Sequence, residues 1–146
     1  MILNRSKLLK AATKFRDAIE KCHKGLKLLR FENFPRGSCG DTVYLLGRYL
    51  KDQGIGSFDC YCGSIMLGQY DEQSHAWLQN GNLYLDITAD QFDEINDRVI
   101  IVENSFWHQK FQSKYEHEAD FNVFKHDELT FKRFESTYNT ILRSIG

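Results

Sequence analysis

Asparagine followed by glycine between two strand-like runs is the strongest short-range hairpin signal in a sequence. The chain has it once, at Asn80-Gly81, between Ser74–Gln79 and Leu83–Thr88. With Asn80 and Gly81 as a two-residue type I′ loop, counting outward sets Leu78 against Leu83, Trp77 against Tyr84, and His75 against Asp86. The hairpin then has two unlike faces. Ala76, Leu78, Leu83, Leu85 and Ile87 make an apolar face; His75, Trp77, Gln79, Asn82, Tyr84 and Asp86 make an aromatic-polar one. Directly opposed Cβ atoms lie about 4.5–5.5 Å apart, close enough for the His75 imidazole and the Asp86 carboxylate to hydrogen-bond. A carboxylate so placed fixes the ring's tautomer and stabilises the imidazolium.

Helical periodicity dominates both ends of the chain. Leu8, Ala12, Phe15, Ile19, Cys22 and Leu26 share one helix face, with Asn4 or Ser6 as cap. Cys22 lies on that stripe and serves as a small core residue. The only proline and a nearby glycine make 31–38 a loop. A second helix runs from about Cys39 to Gln53 with Cys39, Val43, Leu46 and Leu50 as its stripe and Gly54 as its stop. Further strands are expected at Phe58–Leu67, with Gly63 as a weak point or bulge, and at Arg98–Glu103, whose apolar centre predicts burial on both faces. Phe131, Phe134, Tyr138, Ile141 and Ile145 mark a last helix from about Asp127 to Ser144. Helices, then antiparallel strands, then a helix make the class α+β. At 146 residues the expected organisation is a single domain.

Net charge is −1, but residues 1–36 carry ten basic and three acidic residues, and the remainder nine and seventeen. The split predicts a basic surface helix over an acidic body in preference to a nucleic-acid arm. No apolar run approaches the ~18 residues of a membrane span, and Met1–Arg5 lacks the apolar stretch of a secretory signal. The four cysteines, Cys22, Cys39, Cys60 and Cys62, are therefore expected as reduced thiols in the cytoplasm.

Cys39 stands at a helix start, where exposed N–H groups and the macrodipole favour a thiolate. If its helix packs on the aromatic-polar face, Cys39 meets His75, giving nucleophile, base and orienting carboxylate. The Cys39 N–H with a neighbour would form an oxyanion hole. Gly37-Ser38-Cys39-Gly40-Asp41, Ser74-His75-Ala76-Trp77-Leu78 and Leu85-Asp86-Ile87-Thr88 resemble the Cys, His-Ala-Trp, Asp-x-Thr pattern of transglutaminase-like proteins within the papain-like thiol enzymes. The resemblance covers about residues 34–92. It implies a papain-like core, with Cys39 as nucleophile, His75 as base and Asp86 as orienter, and Ser38, Trp77 and Tyr84 beside the substrate. The implied chemistry is acyl transfer on an amide or related group of a peptide, protein or small molecule, by a peptidase, amidase, deamidase or transamidase. The alternative is a non-catalytic module that holds a peptide or protein on the aromatic-polar face.

No cofactor or metal is expected. Cys60-Tyr61-Cys62 is too closely spaced for the usual zinc pair. Asp86, Asp90, Asp93, Glu94 and Asp97 do not match a calcium loop. Phe106-Trp107-His108 and Phe111 are expected to pack a helix or loop onto the sheet.

Overall fold

The computed structural model describes residues 3–146. Helix α1 is Arg5–Cys22, and Asn4 caps it by accepting the Lys7 N–H at 3.0 Å. Leu8, Ala12, Phe15 and Ile19 are fully buried; Leu26 lies beyond the helix end and is buried all the same. Helix α2 is Cys39–Asp52, and the chain leaves it through Gly54 at φ +70°, a left-handed conformation that glycine adopts without strain. Helix α4 is Glu128–Arg143, capped by Asp127, whose carboxylate takes both the N–H and the hydroxyl of Thr130.

Five strands, β1 Asp59–Met66, β2 Glu72–Asn80, β3 Leu83–Asp86, β4 Ile100–Glu103 and β5 Gln112–Glu118, form one antiparallel sheet in the order β4-β3-β2-β1-β5. A short helix, α3 Phe106–Gln109, precedes β5. Across the described residues the fold is α+β, with four α-helices and a five-stranded sheet. Among the described residues no helix is long and apolar enough to cross a membrane.

The sheet separates two apolar clusters. The larger joins Ala76, Leu78, Leu83, Leu85 and Ile87 to the stripes of α1, α2 and α4. The smaller lies on the other face, where Trp77, Tyr84 and Phe111 pack with Tyr61, Ile65, Phe92 and Trp107. Helix α2 thus packs on the apolar face of the hairpin, which corrects the expectation that it covers the aromatic-polar one. The apolar stripe of a helix buries most surface against the more apolar side of a sheet. The segment from Phe92 to Phe111 covers the opposite side.

The hairpin register also differs from the count. The loop is Gly81-Asn82, and Asn80 remains on β2 opposite Leu83; Leu78 faces Leu85 and Gln79 faces Tyr84. Gly81 has φ +57° at the first loop position, the place glycine takes in a type II′ turn. The Asn80 amide donates to the Ser57 carbonyl at 2.9 Å, holding the residue on the strand. The pairing slips by two residues, and a slip of two keeps every side chain on its face. His75 and Asp86 become diagonal neighbours on one face instead of directly opposed.

The edges were the least legible part. Strand β4 lies at one edge with Val102 and Glu103 exposed, so its apolar run is not buried on both faces. Strand β5, Gln112-Ser113-Lys114-Tyr115-Glu116-His117-Glu118, is almost wholly exposed and carries no apolar alternation to announce it. It pairs with β1 beside Gly63, where a Cβ would stand 2.8 Å from the Ser113 Cα. The one bulge in this pairing is not at Gly63: it lies opposite Cys60 and Tyr61, where β5 carries the extra residue, Glu116.

Gly47 marks the tightest helix contact, since a Cβ there would lie 1.9 Å from the Ala119 carbonyl oxygen. Gly47→Ala should therefore destabilise the protein by about 2 kcal/mol or more. This reverses the ~1 kcal/mol gain that alanine brings to an open helix position. Denaturant titration checks it, and a stabilised variant would show that α2 is free to shift away from Ala119.

Candidate functional site

Strands β2 and β3 share three rungs, Leu78–Asn80 against Leu83–Leu85, and are unpaired beyond them. There the His75 Nε2–H donates to Asp86 Oδ2 at 2.7 Å. The other carboxylate oxygen, Oδ1, accepts the Thr88 N–H at 2.8 Å and the Thr88 hydroxyl at 3.3 Å. This Asx-type turn explains why β3 ends at Asp86: the side chain captures the backbone two residues on. A second ring shares the carboxylate. His108, on α3, donates its Nε2–H to the same Oδ2, also at 2.7 Å. The Ser105 hydroxyl, which caps α3, donates to His108 Nδ1 at 2.6 Å and accepts the His108 backbone N–H at 3.2 Å. An ionised carboxylate only accepts, so both rings carry their proton on Nε2.

Cys39 is the first residue of α2 and is half-buried. It lies close enough to His75 to favour the charged form of the ring. Because Nε2 is spent on Asp86, Nδ1 is the nitrogen left for it. The Gln91 side-chain amide also reaches Nδ1, at 3.2 Å, while donating to the Thr88 carbonyl at 3.0 Å. Ser38 precedes the helix without capping it; its hydroxyl donates instead to the Pro35 carbonyl at 3.0 Å. The N–H groups of the first turn of α2 therefore have no side-chain cap.

Charge and burial oppose each other here. Burial works against a charged His75, but the Asp86 carboxylate and the Cys39 sulfur outweigh it and raise the ring to about 10. Burial likewise works against a charged Asp86, and the two rings outweigh it, holding the carboxyl well below the ordinary range. Two more thiols, Cys60 and Cys62, lie on β1. Burial pushes Cys60 up to about 12 and raises Cys62 as well.

Five rings enclose His75: Trp77, Phe92, Trp107, His108 and Phe111, with centroids 5.2–6.2 Å from its own. The enclosure corrects the expected substrate contacts. Trp77 is fully buried, with its indole N–H donated to Gln79, and Tyr84 and Ser38 are buried too. None of the three offers a surface to a substrate, and the aromatic-polar face is not free to hold a peptide. The physical reason is that aromatic residues at 92–111 bury more area by closing over Trp77 and Tyr84 than by facing water.

No family model, curated protein or solved structure matches the chain.

One ring nitrogen each of His75 and His108 and one carboxylate oxygen of Asp86 lie within 4.8 Å of one another. Hydrogen bonding accounts for this clustering, because each N–O contact of 2.7 Å has the length of a charge-assisted bond. Of the acidic cluster, Asp86 is consumed by this network, and Asp90 by Arg16, which grips both its oxygens at 2.8 and 2.9 Å. Asp93 reaches Arg36 only at 3.9 Å between exposed groups, a contact worth little.

His108, Ser105, Gln91 and Arg16 belong to the site and its support, and motif spacing pointed to none of them. Ser105-x-x-His108 does have the spacing of a helix cap with its N3 residue. Nothing local reveals that the ring then turns toward β3.

Proposed function

We propose that Cys39, His75 and Asp86 make up a thiol acyl-transfer site that acts on an amide or related acyl group of a peptide, protein or small molecule. The observation that carries the reading is the buried 2.7 Å bond from His75 Nε2 to Asp86 Oδ2, which leaves Nδ1 outside that bond, with Cys39 near the ring. Acyl transfer needs a base held in one tautomer with its free nitrogen on the nucleophile. The resemblance of the three motifs to transglutaminase-like and papain-like enzymes supports the same assignment, as do the free thiols of all four cysteines.

In this mechanism His75 takes the Cys39 proton on Nδ1, and the sulfur attacks the carbonyl carbon. The first-turn N–H groups of α2 stabilise the oxyanion. Collapse breaks the bond to the leaving amine, which receives the proton from His75. The thioester then passes to water, giving hydrolysis, or to an amine, giving transamidation.

Iodoacetamide labelling at pH 6, mapped by mass spectrometry, tests the reading. Cys39 should be alkylated at least about tenfold faster than Cys62, which is half-buried like it, and His75→Ala should abolish the difference. Equal rates at the two cysteines, unchanged by His75→Ala, would remove the activated thiol.

A further inference from the structure

The mechanism above uses one of the two histidines bound to Asp86. The other is as deeply buried, on the short helix α3, Phe106–Gln109, of which His108 is the buried residue. One hydroxyl, that of Ser105, holds both ends of the residue by accepting its backbone N–H and donating to its ring Nδ1. Donors therefore run in one direction, from Ser105 to His108 to Asp86, and meet the His75 N–H arriving from the other side.

We propose that His108 is a positioning residue: held by Ser105, it fixes the Asp86 carboxylate against His75 and takes a share of the negative charge that would otherwise bear on His75 alone.

A carboxylate has about four lone-pair sites, and all four are occupied. The two rings fill Oδ2, and the Thr88 N–H and hydroxyl fill Oδ1. The carboxylate cannot rotate without breaking several buried bonds, each costly to leave unmade. His75 is thereby held with Nε2 on the carboxylate and Nδ1 turned away from it. Sharing also tempers the carboxylate. With two N–H donors on one oxygen, each withdraws charge from the other, so losing His108 would strengthen the hold of Asp86 on the His75 proton. The titratable groups facing His75 are Asp86 from β3, Cys39 from α2 and His108 from α3; Tyr84 packs on His108, 5.5 Å between centroids.

The role rests on reading His75 as the base, but it can be tested apart from that reading. Two variants are compared with wild type. His108→Phe keeps a flat ring and removes the donor. In His108→Gln the amide nitrogen replaces Nε2. Cys39 alkylation by iodoacetamide is followed from pH 5 to 11, and the His75 ring is titrated by 15N NMR in the same samples. In His108→Phe the carboxylate no longer holds His75 in place, so alkylation at pH 6 should slow about tenfold or more, although the His75 titration should move to higher pH. His108→Gln should restore both. If both variants keep wild-type rates and titration and lose only melting temperature, His108 is merely structural and the proposal falls. If Cys39 is not activated even in wild type but the His75 titration still moves in His108→Phe, the thiol chemistry fails and the shared carboxylate stands. Should His108→Phe not fold, the wild-type spectrum decides. It should show two low-field ring protons, both on Nε2, from His75 and His108. A single such proton, or a His108 protonated on Nδ1, would overturn the proposal.

Discussion

Asp86→Asn should slow alkylation of Cys39 at pH 6 by two to three orders of magnitude and destabilise the protein by about 3–5 kcal/mol. The rate follows from what holds the His75 proton. Burial works against the charged ring, and the Asp86 carboxylate is the largest influence that reverses it. With a neutral amide in its place burial prevails, the ring is uncharged at pH 6, and Cys39 loses its cationic partner. An ordinary thiol with a pKa near ~8.5 is about 0.3% ionised at that pH, which sets the size of the loss. The stability cost follows from geometry. Asn offers one oxygen and an NH2 to a site holding four donors. At least one ring or the Thr88 pair then faces a donor, and removing one partner of a buried charged network costs about 3–5 kcal/mol.

The pH dependence of stability should change with it. Asp86 in the folded protein lies below its unfolded value of ~3.9, so its contribution is full above that value and lost as pH falls toward the folded one. His75 is raised to about 10 from 6.5, so its contribution is full below pH 6.5 and lost as pH rises through about 10. Asp86→Asn should flatten both arms. Denaturant melts at pH 4, 7 and 10 measure this, and an unchanged profile would show that the carboxylate is not charged in the fold.

Arg16→Met should lower the melting temperature by about 10 °C. Arg16 is 4% exposed in the middle of α1. Its guanidinium donates to the Ile87 carbonyl at 2.6 Å and to both oxygens of Asp90, lies against Glu20, and covers the Phe34 ring at 4.8 Å. Methionine fills much of the volume but leaves the Ile87 carbonyl and Asp90 without their donor. Asp90 is 16% exposed and can rehydrate in part, so the cost falls near the low end of the ~3–5 kcal/mol range. At about 2–4 °C per kcal/mol for a chain near this size, that is close to 10 °C. Arg16→Lys should recover little, because one ammonium cannot span a carboxylate and a carbonyl together. Segment 87–91 also carries Thr88 and Gln91, so Cys39 labelling should slow in Arg16→Met. A melting shift under about 2 °C would show that the pair contributes little.

The helices were legible because each repeats an apolar stripe: Leu8, Ala12, Phe15 and Ile19 on α1, and Val43, Leu46 and Leu50 on α2, are all buried as their spacing requires. The hairpin was legible in kind and missed in register. Asn80-Gly81 announces a tight turn, but whether glycine takes the first or second loop place depends on what holds Asn80, here the Ser57 carbonyl on a neighbouring segment. Strand β5 was invisible because an edge strand is held by its backbone pairing with β1, which leaves no mark on side-chain pattern.

By itself, the chain's alternation determined that His75 and Asp86 share a face, and the periodicity around Cys39 determined that it opens a helix. Both are local properties, fixed by periods of 2 and 3.6 residues. Only the tertiary structure decided that α2 lies on the opposite side of the sheet, that Cys39 nonetheless comes close enough to bear on the His75 ring, and that His108 closes on Asp86 from 22 residues further along. Those contacts join segments with no shared period. What selects them is the burial of whole faces and the need to satisfy every buried polar atom, and neither can be read from one segment at a time.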